Sequence, residues 1–208
     1  GRALVLTRLA ELLARQGDKT EARKRLEQAL LAPQPDVQRE QALRSLLAWS
    51  LDEGDLAAAK SAHERLVKLS QNSFFVRAEL GRELLSRGQH AQAEAEFREL
   101  LKLARGDNRT LAPALKDLGQ ALFQQGKYDE AEKALNEAEV AAGAQSGLRQ
   151  EILEQVVLLY RATERLPLLI TKLENLGALD GERALLLASL YEETGRVDDA
   201  RKTYEKAL

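Results

Sequence analysis

The fold can be inferred from residues Leu115–Ala138, which read LKDLGQALFQQGKYDEAEKALNEA. The apolar residues of this stretch return every three or four positions on both sides of Gly126, which is typical of two amphipathic helices joined by a short turn. Gly126 can adopt the left-handed conformation that ends a helix, and the acidic Asp129 suits the start of the next helix. The stretch therefore predicts an antiparallel helix pair.

The same pattern recurs along all 208 residues. A glycine followed five residues later by an alanine occurs at Gly17, Gly54, Gly88, Gly126 and Gly195. The last gap spans two periods, so it hides one degenerate unit with its turn near Glu164. Six helix pairs are predicted, at approximately residues 3–36, 40–73, 74–107, 112–145, 150–180 (degenerate) and 181–208 (truncated).

Small residues, a turn glycine and a second-helix alanine keep a fixed register in these units, as in Gly119, Gly126 and Ala131. In this register the chain resembles the tetratricopeptide repeat family over nearly its whole length. The resemblance implies an all-α fold, a right-handed α-α superhelix of antiparallel helix pairs that forms one solenoid over residues 1–208. The small residues are expected where two helices cross closely.

Composition removes most catalytic chemistry from consideration. The chain has no Cys and two His, so thiolate nucleophiles and sulfur-ligated or imidazole-built metal sites are not expected. His63 takes the place of a packing aromatic residue in its repeat and is expected to serve packing, and His90, just after a turn, is expected to serve packing or capping. The sequence predicts a non-catalytic protein with no cofactor and no metal site.

Charge and hydropathy narrow the range of partners. The 31 Lys and Arg against 33 Asp and Glu give a net charge of −2, which disfavours nucleic acid as a partner. No apolar run is long enough to span a membrane. The chain lacks Met and begins within an apolar-periodic segment, so we expect a soluble fragment of a longer repeat array. The compartment is left open between cytoplasm and periplasm.

The resemblance assigns a concave groove to the first helices of successive repeats, at residues ten, six and three before each turn. The middle of this groove is basic and polar with one aromatic residue, which favours an extended peptide that carries acidic groups. The candidate groove residues are Arg44, Arg82, Lys116, Gln120, Phe123 and Arg161.

The favoured function is a protein–protein interaction scaffold that binds an extended peptide or a helix of a partner protein. One alternative is a regulatory or substrate-docking segment of a larger enzyme. Another is a structural element of a bacterial envelope or motility assembly, with self-association through the truncated ends; the abundance of Ala, Leu and Arg is compatible with a bacterial source.

Overall fold

The structure is a computed structural model that describes residues 1–71, 73–104, 107–176 and 179–207. Within these ranges the chain forms twelve α-helices of 9 to 17 residues and no β-strand, so the prediction of an all-α fold is confirmed. The helices are α1 (Arg2–Arg15), α2 (Lys19–Leu31), α3 (Asp36–Asp52), α4 (Leu56–Leu69), α5 (Phe74–Ser86), α6 (His90–Leu103), α7 (Asn108–Gln124), α8 (Tyr128–Ala142), α9 (Ser146–Ala162), α10 (Leu166–Glu174), α11 (Gly181–Glu193) and α12 (Val197–Ala207).

The helices fall into two compact units, Gly1–Leu100 and Leu101–Leu208. In the first unit α1 packs on α2, α2 on α3, α3 on α4 and α4 on α5. In the second unit each helix from α7 to α11 packs on the helix that follows it. Neighbour-on-neighbour packing is how helical repeats bury their apolar faces. The single solenoid and the six repeat boundaries stay predictions.

The turns inside the helix pairs share one backbone conformation. Gly126 has a φ of +73° between α7 and α8, and the Lys127 amide donates back to the Leu122 carbonyl at 3.0 Å. Glu164 takes the matching place between α9 and α10 with a φ of +57°, and the Arg165 amide closes the same bond. The left-handed region is costly for a residue with a Cβ atom, so this turn is less favourable than the glycine turns.

Two glycines inside helices lie where neighbouring helices cross closely. A Cβ atom at Gly81 of α5 would lie 2.6 Å from Cε1 of Phe97 on α6, and one at Gly119 of α7 would lie 2.8 Å from Leu135 of α8. Phe97 and Leu135 are buried, so neither can move aside freely. The prediction that these small residues sit at close crossings is confirmed.

Two buried tyrosines form hydrogen bonds between helices of the second unit, at and beside the α9–α10 pair, where the repeat pattern is weakest. The Tyr160 hydroxyl on α9 donates to Glu132 Oε1 on α8 at 2.5 Å, and Arg165 Nη2 donates to Glu132 Oε2 at 3.0 Å. Lys172 on α10, a helix of only nine residues, also donates to Glu132. Burial raises the pKa of Glu132, but the hydrogen bonds from Lys172 and Tyr160 outweigh burial, and the net pKa is lowered.

Tyr191 on α11 repeats this arrangement one helix pair later. Its hydroxyl donates to Glu174 Oε1 of α10 at 2.7 Å, and the Arg196 guanidinium lies 4.3 Å from the centre of its ring. Burial and then the bond to Glu174 raise the pKa of Tyr191 to about 12. Each tyrosine thus links a first helix to the second helix that precedes it.

The buried histidine of the first unit also has a packing role. His63 on α4 is buried, and its Nε2 atom lies 2.8 Å from the carbonyl oxygen of Val76 at the start of α5. The bond links the two helices, so the expected role of His63 in packing is confirmed.

Candidate protein-interaction surface

The six candidate residues all lie on first helices, which are α1, α3 and α5 in the first unit and α7, α9 and α11 in the second. We call the side of these helices that carries the candidates the first-helix face of each unit. The first unit contributes Arg44 on α3 and Arg82 on α5. The second unit contributes Lys116, Gln120 and Phe123 on α7 and Arg161 on α9.

In the first unit, Arg44 is paired with carboxylates rather than open to a partner. Its Nη2 atom donates to Glu79 Oε1 on α5 at 2.8 Å, and Nη1 donates to Glu40 Oε2 at 3.1 Å. The bond to Glu79 is the main cause of the raised pKa of Arg44. Arg82 is exposed on α5. On the first-helix face of this unit, an ion pair therefore links one first helix to the next.

The second unit repeats this link twice. Lys116 Nζ donates to Glu151 Oε2 of α9 at 2.5 Å. Arg161 donates through Nε and Nη2 to the two carboxylate oxygens of Glu193 on α11, at 3.1 and 2.8 Å. The same pair raises the pKa of Arg161 and lowers the pKa of Glu193. The predicted cations are present on this face, but their charge is largely compensated by the neighbouring first helix.

The remaining two candidates on α7 are half-buried. The Phe123 ring tilts against the ring of Tyr128 at the start of α8, with centroids 5.9 Å apart. Part of the Phe123 surface is therefore covered by packing within the helix pair. Gln120 lies one helical turn before it on the same helix, so the two side chains share a side of α7.

A concave feature of the second unit lies one helix pair further along, between α9 and α11. An open cavity of about 580 Å³ lies between α9 and α11, and Arg161 is one of its lining residues. Leu158 and Leu185 line this cavity with 51% and 57% of their surfaces exposed. The other lining residues are Gln150, Leu153, Glu154, Val157, Glu182, Leu186 and Ser189.

The repeat register assigns Leu158 and Leu185 to the groove, but they were not chosen as candidate residues because the prediction weighted charge. The signal was present in the repeat register: leucine stands six residues before the turn in α9 and ten before it in α11. The matching positions of α7 carry Gln120 and Lys116. Exposed apolar side chains that are grouped in one patch mark a contact surface, and these two leucines line the same cavity.

Two features are absent from the part of the chain that the structure describes. Within it, no three His, Asp or Glu side chains are grouped closely enough to hold a metal ion. None of the described helices is both long enough and apolar enough to cross a membrane.

Paired helices in neighbour-on-neighbour order, with left-handed turns and glycine at the crossings, define a helical repeat protein. Profiles described as tetratricopeptide repeat match residues 2–31, 76–139 and 182–208, together more than half of the chain. The chain belongs to the tetratricopeptide repeat family, which is a family of protein-interaction scaffolds. No curated protein sequence matches the chain.

Solved structures are similar to this chain in fold. BtubC (BKLC) from P. vanneervenii is 15% identical with a TM-score of 0.54, over 99% of this chain and 88% of BtubC. PilW, a widely conserved type IV pilus biogenesis factor, is 19% identical with a TM-score of 0.50, over 98% of this chain and 91% of PilW. A thermophilic TPR protein of Thermus thermophilus is 24% identical with a TM-score of 0.46, over 81% of this chain and 90% of that protein. At these identities the likeness to BtubC and PilW concerns the fold.

Proposed function

We propose that this protein is a non-catalytic scaffold that holds an extended peptide or a short helix of a partner protein on the first-helix face. The observation that carries the proposal is the open cavity between α9 and α11, where Leu158 and Leu185 stay exposed. Leaving two leucine side chains in water is unfavourable, and contact with a partner removes that cost. A cavity with exposed leucines on this face supports binding there.

The finer proposal, an acidic partner, carries a specific condition. A partner carboxylate that binds Lys116 or Arg161 has to compete with Glu151 or Glu193, which already accept hydrogen bonds from these cations. Exchange of one carboxylate for another changes the free energy little unless the new pair is better shielded from water. An acidic partner is therefore expected to gain most of its affinity from contacts other than these charges.

Peptide display tests the location of binding. Peptides selected from a random library against the 208-residue chain are synthesised, and their binding is measured by fluorescence polarisation. Hydrogen exchange with and without peptide then maps the footprint. We expect protection on first helices such as α9 and α11. Protection confined to the second helices α8, α10 and α12 would contradict the proposal.

The acidic preference is tested separately with selected peptides that contain Asp or Glu. Glu151→Gln releases Lys116, so an acidic peptide on α7 should bind severalfold more tightly to this variant. Lys116→Ala should weaken the same peptide. Glu137→Gln on α8 is the matched control and should change nothing. Equal affinity for wild type and Glu151→Gln, with the footprint on α7, would rule out the acidic preference at this position.

A further inference from the structure

We propose that the cavity between α9 and α11 takes a short partner segment in which bulky apolar side chains stand next to a lysine or arginine. The proposal rests on the function proposed above and names the chemistry of the partner at this one place. It also differs from the expectation of an acidic partner, because the charges that surround this cavity are different from those along the rest of the face.

The apolar part of the inference comes from the cavity lining. Leu158 projects from α9 and Leu185 from α11 into the same cavity, and each has about half of its surface exposed. Leu153 and Val157 extend the apolar surface beneath them. A leucine, isoleucine or phenylalanine side chain of a partner would cover all four, and burial of one such side chain raises affinity by roughly 10- to 100-fold.

The basic part of the inference comes from the charges at the cavity. Glu154 and Glu182 are its acidic lining residues, and Arg161 is the cation among the described lining residues. Arg161 is held by two hydrogen bonds to Glu193 and so offers little free positive charge. Glu154 accepts a hydrogen bond from the neutral side-chain amide of Gln150 at 3.2 Å. Two carboxylates against one cation leave the described lining of the cavity with a net negative charge.

Glu182 adds a specific acceptor for a partner. Its Oε2 atom is buried, and no described residue donates a hydrogen bond to it. The nearest cation is Arg149, whose Nε atom lies 3.8 Å away, too far for a hydrogen bond. The Glu182 side chain nevertheless keeps 32% of its surface exposed, so an ammonium or guanidinium group of a partner can reach the carboxylate and donate a charge-assisted hydrogen bond to it.

Neighbouring positions restrict this chemistry to one place on the second unit. On α7 the equivalents of the two leucines are Gln120 and Lys116, which offer no apolar anchor. A partner segment that binds by apolar side chains would therefore be centred on α9 and α11. The carboxylates Glu154 and Glu182 then select a basic neighbour over an acidic one, since like charges at this range repel.

Three fluorescent synthetic peptides of equal length test the inference by polarisation against the intact chain. The first has a leucine core flanked by lysines, the second has the same core flanked by glutamates, and the third has alanines in place of the leucines. At low salt we expect the first to bind about tenfold more tightly than either of the others. Its advantage over the glutamate peptide should shrink as salt is added.

Matched variants locate the effect. Leu158→Ser with Leu185→Ser should lower the affinity for the first peptide at least tenfold, whereas Leu168→Ser, a leucine of similar exposure on α10, should not. Glu154→Gln with Glu182→Gln should reduce the preference for lysine over glutamate flanks, whereas Glu137→Gln on α8 should not. Circular dichroism checks that each variant keeps its helices.

The inference is overturned if the glutamate-flanked peptide binds as well as the lysine-flanked one, or if the paired leucine variant binds like wild type. Failure of the lysine-flanked peptide to saturate by about 1 mM also overturns it, because that corresponds to only about 4 kcal/mol of binding free energy. In any of these cases, display-selected peptides that still protect first helices would leave the proposed function standing. Selected peptides that protect second helices alone would remove both.

Discussion

Replacing Gly81 by alanine tests the steric reason for glycine at the helix crossings. The added methyl carbon would lie 2.6, 2.9 and 3.0 Å from three ring carbons of Phe97. Non-bonded carbons prefer about 3.5 to 4.0 Å, so the ring or the helix has to retreat by about 1 Å. Phe97 has no exposed surface, and its ring cannot turn out into water. The substitution therefore strains a closed crossing between α5 and α6.

Two opposing terms set the size of the effect. Alanine is favoured over glycine inside a helix by about 1 kcal/mol. Overpacking of a filled core costs about 1 to 3 kcal/mol. Together these terms predict that Gly81→Ala lowers the free energy of unfolding by up to about 2 kcal/mol. Gly181→Ala, at a helical glycine with no atom within 4 Å of the added methyl, is the control and should be neutral or slightly stabilising.

Urea denaturation followed by far-UV circular dichroism measures the change, and a double-mutant cycle identifies its cause. Phe97→Leu alone should destabilise by on the order of 1 kcal/mol, because it leaves space beside Gly81. Combined with Gly81→Ala it should cost less than the sum of the two single changes, by about 1 kcal/mol. Additive effects, or a Gly81→Ala variant about 1 kcal/mol more stable than wild type, would refute the steric argument.

Other features give predictions that the same denaturation experiment checks. The lowered pKa of Glu132 means that its stabilisation is present above the ordinary glutamate value of 4.5 and is lost as the pH falls below it. Glu132→Gln should lower the free energy of unfolding at neutral pH, and this free energy should fall less steeply than in wild type as the pH drops below 4.5. An equally steep fall in both proteins would contradict this. Tyr191, whose pKa is raised from 10.0 to about 12, stabilises below pH 10, and this contribution is lost as the pH rises toward 12. In Tyr191→Phe this loss of stability at alkaline pH should disappear. If the stability of the variant still falls between pH 10 and 12 as in wild type, Tyr191 is not the cause. For the half-exposed Arg44–Glu79 pair, a cycle of alanine variants should give a coupling of only about 0.2 to 1 kcal/mol, and a much larger value would contradict its exposure.

The candidate site shows where reasoning from sequence was effective and where it was not. The repeat register assigned Arg44, Lys116 and Arg161 to first helices, and the structure has them there. Their partners could not be read from the register, because Glu79, Glu151 and Glu193 lie 32 to 35 residues away on another helix. A charge that looks available in sequence is compensated once the next repeat packs beside it.

Local signals in the sequence are sufficient to specify the helix pairs of this protein. Period, turn glycines and small crossing residues are local signals, and each acts through the backbone conformation or the volume of one residue. Packing between helices places Glu132 where it accepts hydrogen bonds from both Tyr160 and Lys172. It also brings Leu158 and Leu185 to the same cavity. These are relations between side chains on different helices. Their distances depend on how the helices pack, and no residue carries that information alone.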